Sequence, residues 1–154
     1  MMFKYINSKD VVCGYGLNKI DLDEYGCDMQ NVEVSDEEYQ LYKQKQDKVM
    51  LNDELRDNAL SGGVTYQNIL FDSDTDQKTN IIGKVMTMSD TDTVVWYGMD
   101  NKGLLCTKAD LMAIGSLITE LHSFCWNNNA YIKEQIEQAE TIEELEQIEI
   151  NYGG

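Results

Sequence analysis

The 154-residue chain carries 28 acidic against 12 basic side chains, a formal net charge of −16, and is 42% hydrophobic. That charge repels phosphate backbones and acidic membranes, which argues against direct nucleic-acid binding and leaves basic proteins as natural partners. The apolar content excludes a disordered chain, no run reaches the ~20 residues of a membrane span, and Met1–Asn7 has no signal-peptide core.

Residues 2–14 read as a hairpin, with Phe3, Tyr5 and Ile6 in one run and Val11, Val12 and Cys13 in the other. Asn7-Ser8-Lys9-Asp10 is the turn between them. Residues 17–34 are acidic and irregular, with a brief strand at Asn31–Val34. Ser35-Asp36-Glu37-Glu38 opens a helix as a capping box. Its middle, Lys43 to Lys48, is polar all round, so a solvated helix is expected, breaking near Asn52-Asp53. The boundary between two units falls between 45 and 55: an N-terminal hairpin plus helix over 1–50, and a second domain over 51–154.

Ser61-Gly62-Gly63 stops that helix. Val64-Thr65-Tyr66 and Ile69-Leu70-Phe71, two residues apart, form a tight hairpin. Asp72-Ser73-Asp74-Thr75-Asp76 has the spacing of a calcium loop, but Gln77 and Gly83 stand where that loop needs Gly and Glu, so helix capping is the better reading. A helix over 75–88 is expected to turn Ile81, Ile82, Val85 and Met86 inward. Thr93–Met99 and Leu104–Cys106 make another hairpin around Asp100–Gly103, and Trp96 reads as its anchor on the helices.

The longest element begins at Thr107, capped with Asp110, and runs to about Gln138. Leu111, Ile114, Leu117, Ile118, Leu121, Phe124, Cys125, Tyr131, Ile132 and Ile136 recur on one broad stripe. Asn127-Asn128-Asn129 interrupts it with three weak helix formers, which predicts a bend there. Tyr131 to Ile148 would then be a separate acidic helical hairpin, its second helix opening on Thr141-Ile142-Glu143-Glu144. Seven glutamates and no Lys or Arg lie between Glu134 and Glu149. The tail Asn151–Gly154 is expected to fray.

No nucleophile, zinc or phosphate-loop motif is present. Cys13, Cys27, Cys106 and Cys125 form no C-x-x-C pair, and His122 has no evident catalytic partner, so neither enzyme activity nor a cofactor or metal is expected.

From Arg56-Asp57-Asn58-Ala59-Leu60 onward the chain resembles a small domain of unknown function found in tailed-phage and prophage proteins, often near tail-fibre or tail-fibre-assembly genes. The resemblance continues through Val64-Thr65-Tyr66, Ile69-Leu70-Phe71-Asp72, Trp96 with Asp100-Asn101, Thr107, Ile132-Lys133 and the helix after Thr141. It covers about two-thirds of the chain and carries no catalytic set. It implies a non-enzymatic tail-associated protein in the virion or the host bacterial cytoplasm, either a minor virion component or a fibre-assembly chaperone. The implied partner is a tail or tail-fibre protein.

An α+β fold follows, with short antiparallel hairpins packed on helices and a long C-terminal helix or helical hairpin. Trp96, Leu117, Leu121, Phe124, Tyr131, Glu137 and Glu144 are the candidate partner-binding residues, and self-association through the long helix is expected. The acidic charge leaves a second reading, a nucleic-acid mimic that inhibits a host defence protein.

Overall fold

The computed structural model describes residues 1–7, 9, 11–19 and 29–153. Ser8, Asp10, Cys27 and Gly154, with the rest of the stretch 20–28, lie outside the described residues, so the turn at 7–10 and the irregular segment after 17 are described only in part. The fold is α+β, as the hydrophobic pattern predicts. Strands β1 (Met2–Asn7), β2 (Val12–Gly16) and β3 (Met29–Val34) form one antiparallel sheet in the order β2-β1-β3, with a register shift between Tyr5 and Ile6 in the β1–β2 ladder. Asn7 Oδ1 accepts from the Val11 N–H, closing the turn. The sheet meets the next helix, α1 (Asp36–Ser61), through Lys4 Nζ donating to Glu38 at 2.9 Å and Tyr15 stacked on Tyr42 at 4.2 Å. Ser35 caps α1 by accepting from the Glu38 N–H, but the Glu38 carboxylate turns to Lys4 and Tyr15, so only half of the expected capping box forms.

Helix α1 is continuous through Asn52 and Asp53, where a break was expected. Packing overrides local propensity there. Leu41, Lys45, Lys48, Asn52, Leu55 and Ala59 recur at 4-3-4-3-4 spacing, so they share one face. That face lies antiparallel along helix α3 (Lys108–Gln138). The polar middle of α1 is solvated at Lys43, Gln46 and Asp47, as expected, while Lys45 and Lys48 lie half-buried on the face toward α3. Lys45 donates to the Glu137 carbonyl in the last turn of α3, and Lys48 donates to the Leu145 carbonyl in the short helix α4 (Ile142–Glu146). Lys45 satisfies a carbonyl that the end of α3 leaves open, Lys48 adds a second donor to the Leu145 carbonyl that the Ile148 N–H also reaches, and both oppose a negative dipole end where neither helix has a basic residue of its own.

Beyond Gly63, which has φ +87°, come two small hairpins. In β4 (Val64–Tyr66) and β5 (Ile69–Phe71), Gln67 and Asn68 both take positive φ, the geometry that suits a two-residue turn to the strand twist. Strands β6 (Thr93–Tyr97) and β7 (Gly103–Thr107) make the other. Gly98 lets them meet: a Cβ there would lie 2.5 Å from Ile69 Cγ2, and the Met99 N–H next to it donates to the Leu70 carbonyl. Helix α2 (Thr75–Thr87) is capped by Asp74 and packs on α3. It buries Ile81 and half-buries Val85. Ile82 and Met86 are exposed, against expectation, because each is turned about 100° around the helix from Ile81 or Val85, onto a flank that the core does not cover.

Helix α3 is the spine. Thr107 and Asp110 form a full capping box at its start, and its 31 residues span about 46 Å. Its first half closes one core with Phe71, Ile81, Met88, Cys106, Leu111 and Ile114. Its second half closes another with Cys125, Ile132, Ile136, Leu145 and Tyr152. Buried Ser73 ties the two, donating to the Leu60 carbonyl while its own carbonyl meets His122 Nε2 at 2.7 Å. No bend occurs at Asn127–Asn129, and residues 131–148 are not a separate hairpin. Asn129 is buried: its carbonyl accepts from Asn52 Nδ2 at 3.1 Å and its amide donates to Asp53 at 3.0 Å, so a weak helix former becomes a cross-helix tie. The tail does not fray at Tyr152, whose hydroxyl donates to buried Asn52 Oδ1 at 2.6 Å.

Removing the Tyr152 hydroxyl leaves the buried Asn52 Oδ1 without its donor. Tyr152→Phe should therefore lower stability by about 1–3 kcal/mol, read by urea unfolding as a lower midpoint with an unchanged m-value. An unchanged midpoint would mean that the hydroxyl bond to Asn52 contributes nothing to the fold.

Candidate functional site

The residues named from the sequence fall in three environments. Trp96 and Leu121 are interior, half-buried against the first and second cores respectively. The Trp96 indole N–H is the single buried side-chain polar atom without a partner among the described residues, so the ring acts as a packing anchor. Leu117, Phe124 and Tyr131 stand seven residues apart along α3, which places them on nearly one line. Leu117 is half-buried, whereas Phe124 is 48% and Tyr131 59% exposed, and Gln135 Nε2 donates to the Tyr131 hydroxyl. Glu137 and Glu144 are exposed. The Glu144 carboxylate accepts from the Glu140 N–H at 2.7 Å and closes the first turn of α4 beside Thr141, so its charge serves a cap as well as the surface.

A second feature lies along the α1–α3 seam. Asp53 bridges Arg56 at 2.9 Å and Lys133 at 2.7 Å, and it accepts from Asn129. Arg56 also pairs with Asp57 and lies 4.3 Å over the Trp126 ring. Burial works to raise the Asp53 carboxyl. The hydrogen bonds from Lys133 and Asn129, with the charges of Lys133 and Arg56, outweigh it and hold the group below the usual carboxylate range. A carboxylate locked as its anion by two cations is a poor proton acceptor, so the cluster fastens the helices together rather than performing acid–base chemistry. Burial likewise pushes the Cys106 and Cys125 thiols up, away from the reactive thiolate form.

The third feature was not legible as a site. Because Ile82 and Met86 face outward, α2 and α3 enclose an open apolar groove of about 420 Å³, lined by Ile82, Val85, Met86, Met112, Gly115 and Thr119. Met86 is 81% and Met112 54% exposed. The signal was available in the alternation of Ile81 and Val85 with Ile82 and Met86, which places the two pairs on different faces of a helix. Asp72 and Asp74, the calcium-like carboxylates, cap the turn into α2. Among the described residues no three His, Cys, Asp or Glu side chains are grouped so that they could hold a metal ion.

A family model for DUF4376, a domain of unknown function, matches residues 43–151. The chain belongs to the DUF4376 family. The match takes in most of α1 and everything from there to the end of α4, so the α1–α3 seam, the aromatic line and the groove all lie within the DUF4376 region, while β1–β3 precede it. No curated protein and no solved structure shows a significant match to the chain.

A depressed carboxyl contributes stability that is present above its unfolded pKa, about 3.9, and is lost as pH falls through the lower folded value. The stability gap between the wild-type chain and Asp53→Asn should therefore be widest near neutral pH and shrink as the pH drops below about 4. Urea unfolding across that range reads it. A gap that stays constant with pH would show that the fold does not lower the Asp53 carboxyl below its unfolded value.

Proposed function

We propose that this DUF4376 protein is a non-enzymatic component of a bacteriophage or prophage tail system that works through protein–protein contacts, as a minor virion component or as a tail-fibre assembly chaperone. The observation that carries the contact reading is the exposed aromatic pair Phe124 and Tyr131 on a helix whose buried residues close two cores. Large aromatic side chains left in water on a rigid element are the usual anchors of a partner surface. The charged cluster at Asp53 supports a non-enzymatic role, since its members neutralise one another at the edge of the α1–α3 seam. The tail assignment rests on the sequence resemblance from Arg56 onward. The working places are the host bacterial cytoplasm and the virion, and the partner is a tail or tail-fibre protein.

Co-purification separates the two forms. A chaperone binds free fibre protein and is absent from finished particles, whereas a structural component stays with them. In either case Phe124→Ser combined with Tyr131→Ser should weaken binding by at least about tenfold while the unfolding midpoint stays close to wild type. Failure to bind either fibre or particle overturns the assignment.

A second reading has its own observation. The exposed glutamates of 134–149, Glu137 and Glu144 among them, make an acidic surface that could present itself to a basic partner as a nucleic-acid mimic inhibiting a host defence protein. Its signature is binding to a basic nucleic-acid-binding protein that falls steeply as salt rises, because exposed charge is screened within a Debye length of about 8–10 Å. Binding insensitive to salt contradicts it.

A further inference from the structure

We infer that the exposed ridge of α3 carrying Phe124 and Tyr131 takes one helix of a partner protein, with apolar anchors along one face and a Lys or Arg one turn beyond the anchors at each end. The inference rests on the contact reading of those two aromatics and is independent of the tail assignment. Spacing and charge select the occupant, and the same charge disfavours a second copy of this chain.

Glu120, Phe124, Asn127, Tyr131, Glu134 and Gln138 follow one another at 4-3-4-3-4 spacing, and all of them are exposed. At about 100° per residue they fall within an arc of about 80°, well round the helix from the buried Cys125, Ile132 and Ile136. A 4-3 repeat is the spacing of a coiled-coil seam, and the side chains of a second helix recur in step with it. Phe124 and Tyr131 stand about 10 Å apart along the axis. The shorter Asn127 between them leaves a dip in which one apolar anchor of a docked helix can sit.

Charge brackets the aromatics. Glu120 stands one turn before Phe124 and Glu134 one turn after Tyr131, about 21 Å apart along α3. Glu120 also edges the groove beside α2, and Glu134 accepts from Gln138 Nε2, a neutral donor that leaves its charge in place. Among the described residues neither glutamate forms an ion pair, with Lys78 of the neighbouring α2 or with any other cation. Of the two lysines on α3, Lys108 lies three turns before Glu120, and Lys133 turns to Asp53 on the α1 side. The tail reaches this flank through the Asn151 carbonyl, which accepts from Asn128, and the chain has no Lys or Arg after Lys133. A helix with a cation at each end of its apolar face meets a carboxylate at both ends as its anchors seat. A second copy meets the opposite. Antiparallel self-pairing that sets Phe124 against Tyr131 also sets Glu120 against Glu134, because both pairs share a midpoint near Asn127, and parallel pairing sets each glutamate against itself.

The probe is a fluorescently labelled, helix-forming synthetic peptide with lysines at i and i+14 and leucines at i+4, i+7 and i+11, titrated with the full chain and read by anisotropy. One twin has glutamates in place of the two lysines, and another is a scrambled sequence of the same composition. The wild-type chain should bind the lysine peptide and neither twin. Phe124→Ser with Tyr131→Ser should weaken that binding by at least about tenfold. Glu120→Lys with Glu134→Lys should weaken it several-fold and make the glutamate twin the better ligand. All four side chains are exposed, so the unfolding midpoints of both double variants should stay close to wild type. Equal binding of the lysine peptide and either twin, no exchange of preference in the charge-reversed chain, or no binding at about 1 mM overturns the inference. Binding that needs Phe124 and Tyr131 but ignores the charges also overturns it, while leaving the contact reading in place. Binding indifferent to the aromatic pair shows that the ridge is not the site. A dimer in light scattering that Phe124→Ser with Tyr131→Ser converts to monomer overturns it too, because the ridge is then the seat of a second copy.

Discussion

The structure depends on one seam, the antiparallel contact of α1 with the second half of α3. Its centre is polar. Asn52 is fully buried, gives its amide to the Asn129 carbonyl and takes the Tyr152 hydroxyl on its oxygen. Asp53, Arg56 and Lys133 close the same seam from the side. A purely apolar seam tolerates sliding by a turn, about 5.4 Å. This one does not, because a slip leaves Asn52, Asn129 and Tyr152 buried without partners, at about 1–3 kcal/mol each. The seam thus fixes the register of the two longest helices, as a single buried asparagine does in a coiled coil. Once that register is set, Lys45 and Lys48 reach the carbonyl ends of α3 and α4.

That commitment decides which surfaces remain for partners. With α1 and α4 on its second half, and α2 with the hairpins on its first, α3 keeps little of its apolar stripe in water. What remains is the flank carrying Phe124 and Tyr131, the Trp126 ring beneath Arg56, and the methionine-lined groove beside α2. All are carried on helices that the cores hold in place. The acidic C-terminal segment is also more structural than its charge implies. Lys45 and Lys48 reach it from α1, and Glu144 caps the helix it belongs to.

Local rules were legible where local chemistry decides. The Gln67-Asn68 turn, the Thr107–Asp110 capping box, the Asp74 cap and the strand runs around Trp96 all follow from neighbours within four residues. The misreadings share one cause. Lys45, Lys48, Asn52 and Asn129 are polar residues on inward faces, and their partners lie 77 to 97 positions away. Periodicity that counts apolar residues reads such a face as solvated or broken, and three asparagines in a row read as a stop. Tyr152 was hidden for the same reason, since its partner Asn52 lies 100 residues upstream. Of the candidate partner residues, Phe124 and Tyr131, placed by spacing on the stripe of the long helix, are exposed, whereas the Ile82–Met86 edge was read as core because hydrophobicity was weighed before angular position.

Native-state hydrogen exchange tests the central claim, that the two halves of α3 are one element locked by the α1 seam. The amides of residues 126–137 should exchange only through the same opening that exposes residues 111–118, and Asn52→Ala should speed exchange in both stretches together. Rapid exchange at 126–137 while 111–118 stays protected would contradict the account, because the distal part of α3 would then be the separate helical unit that its asparagines imply.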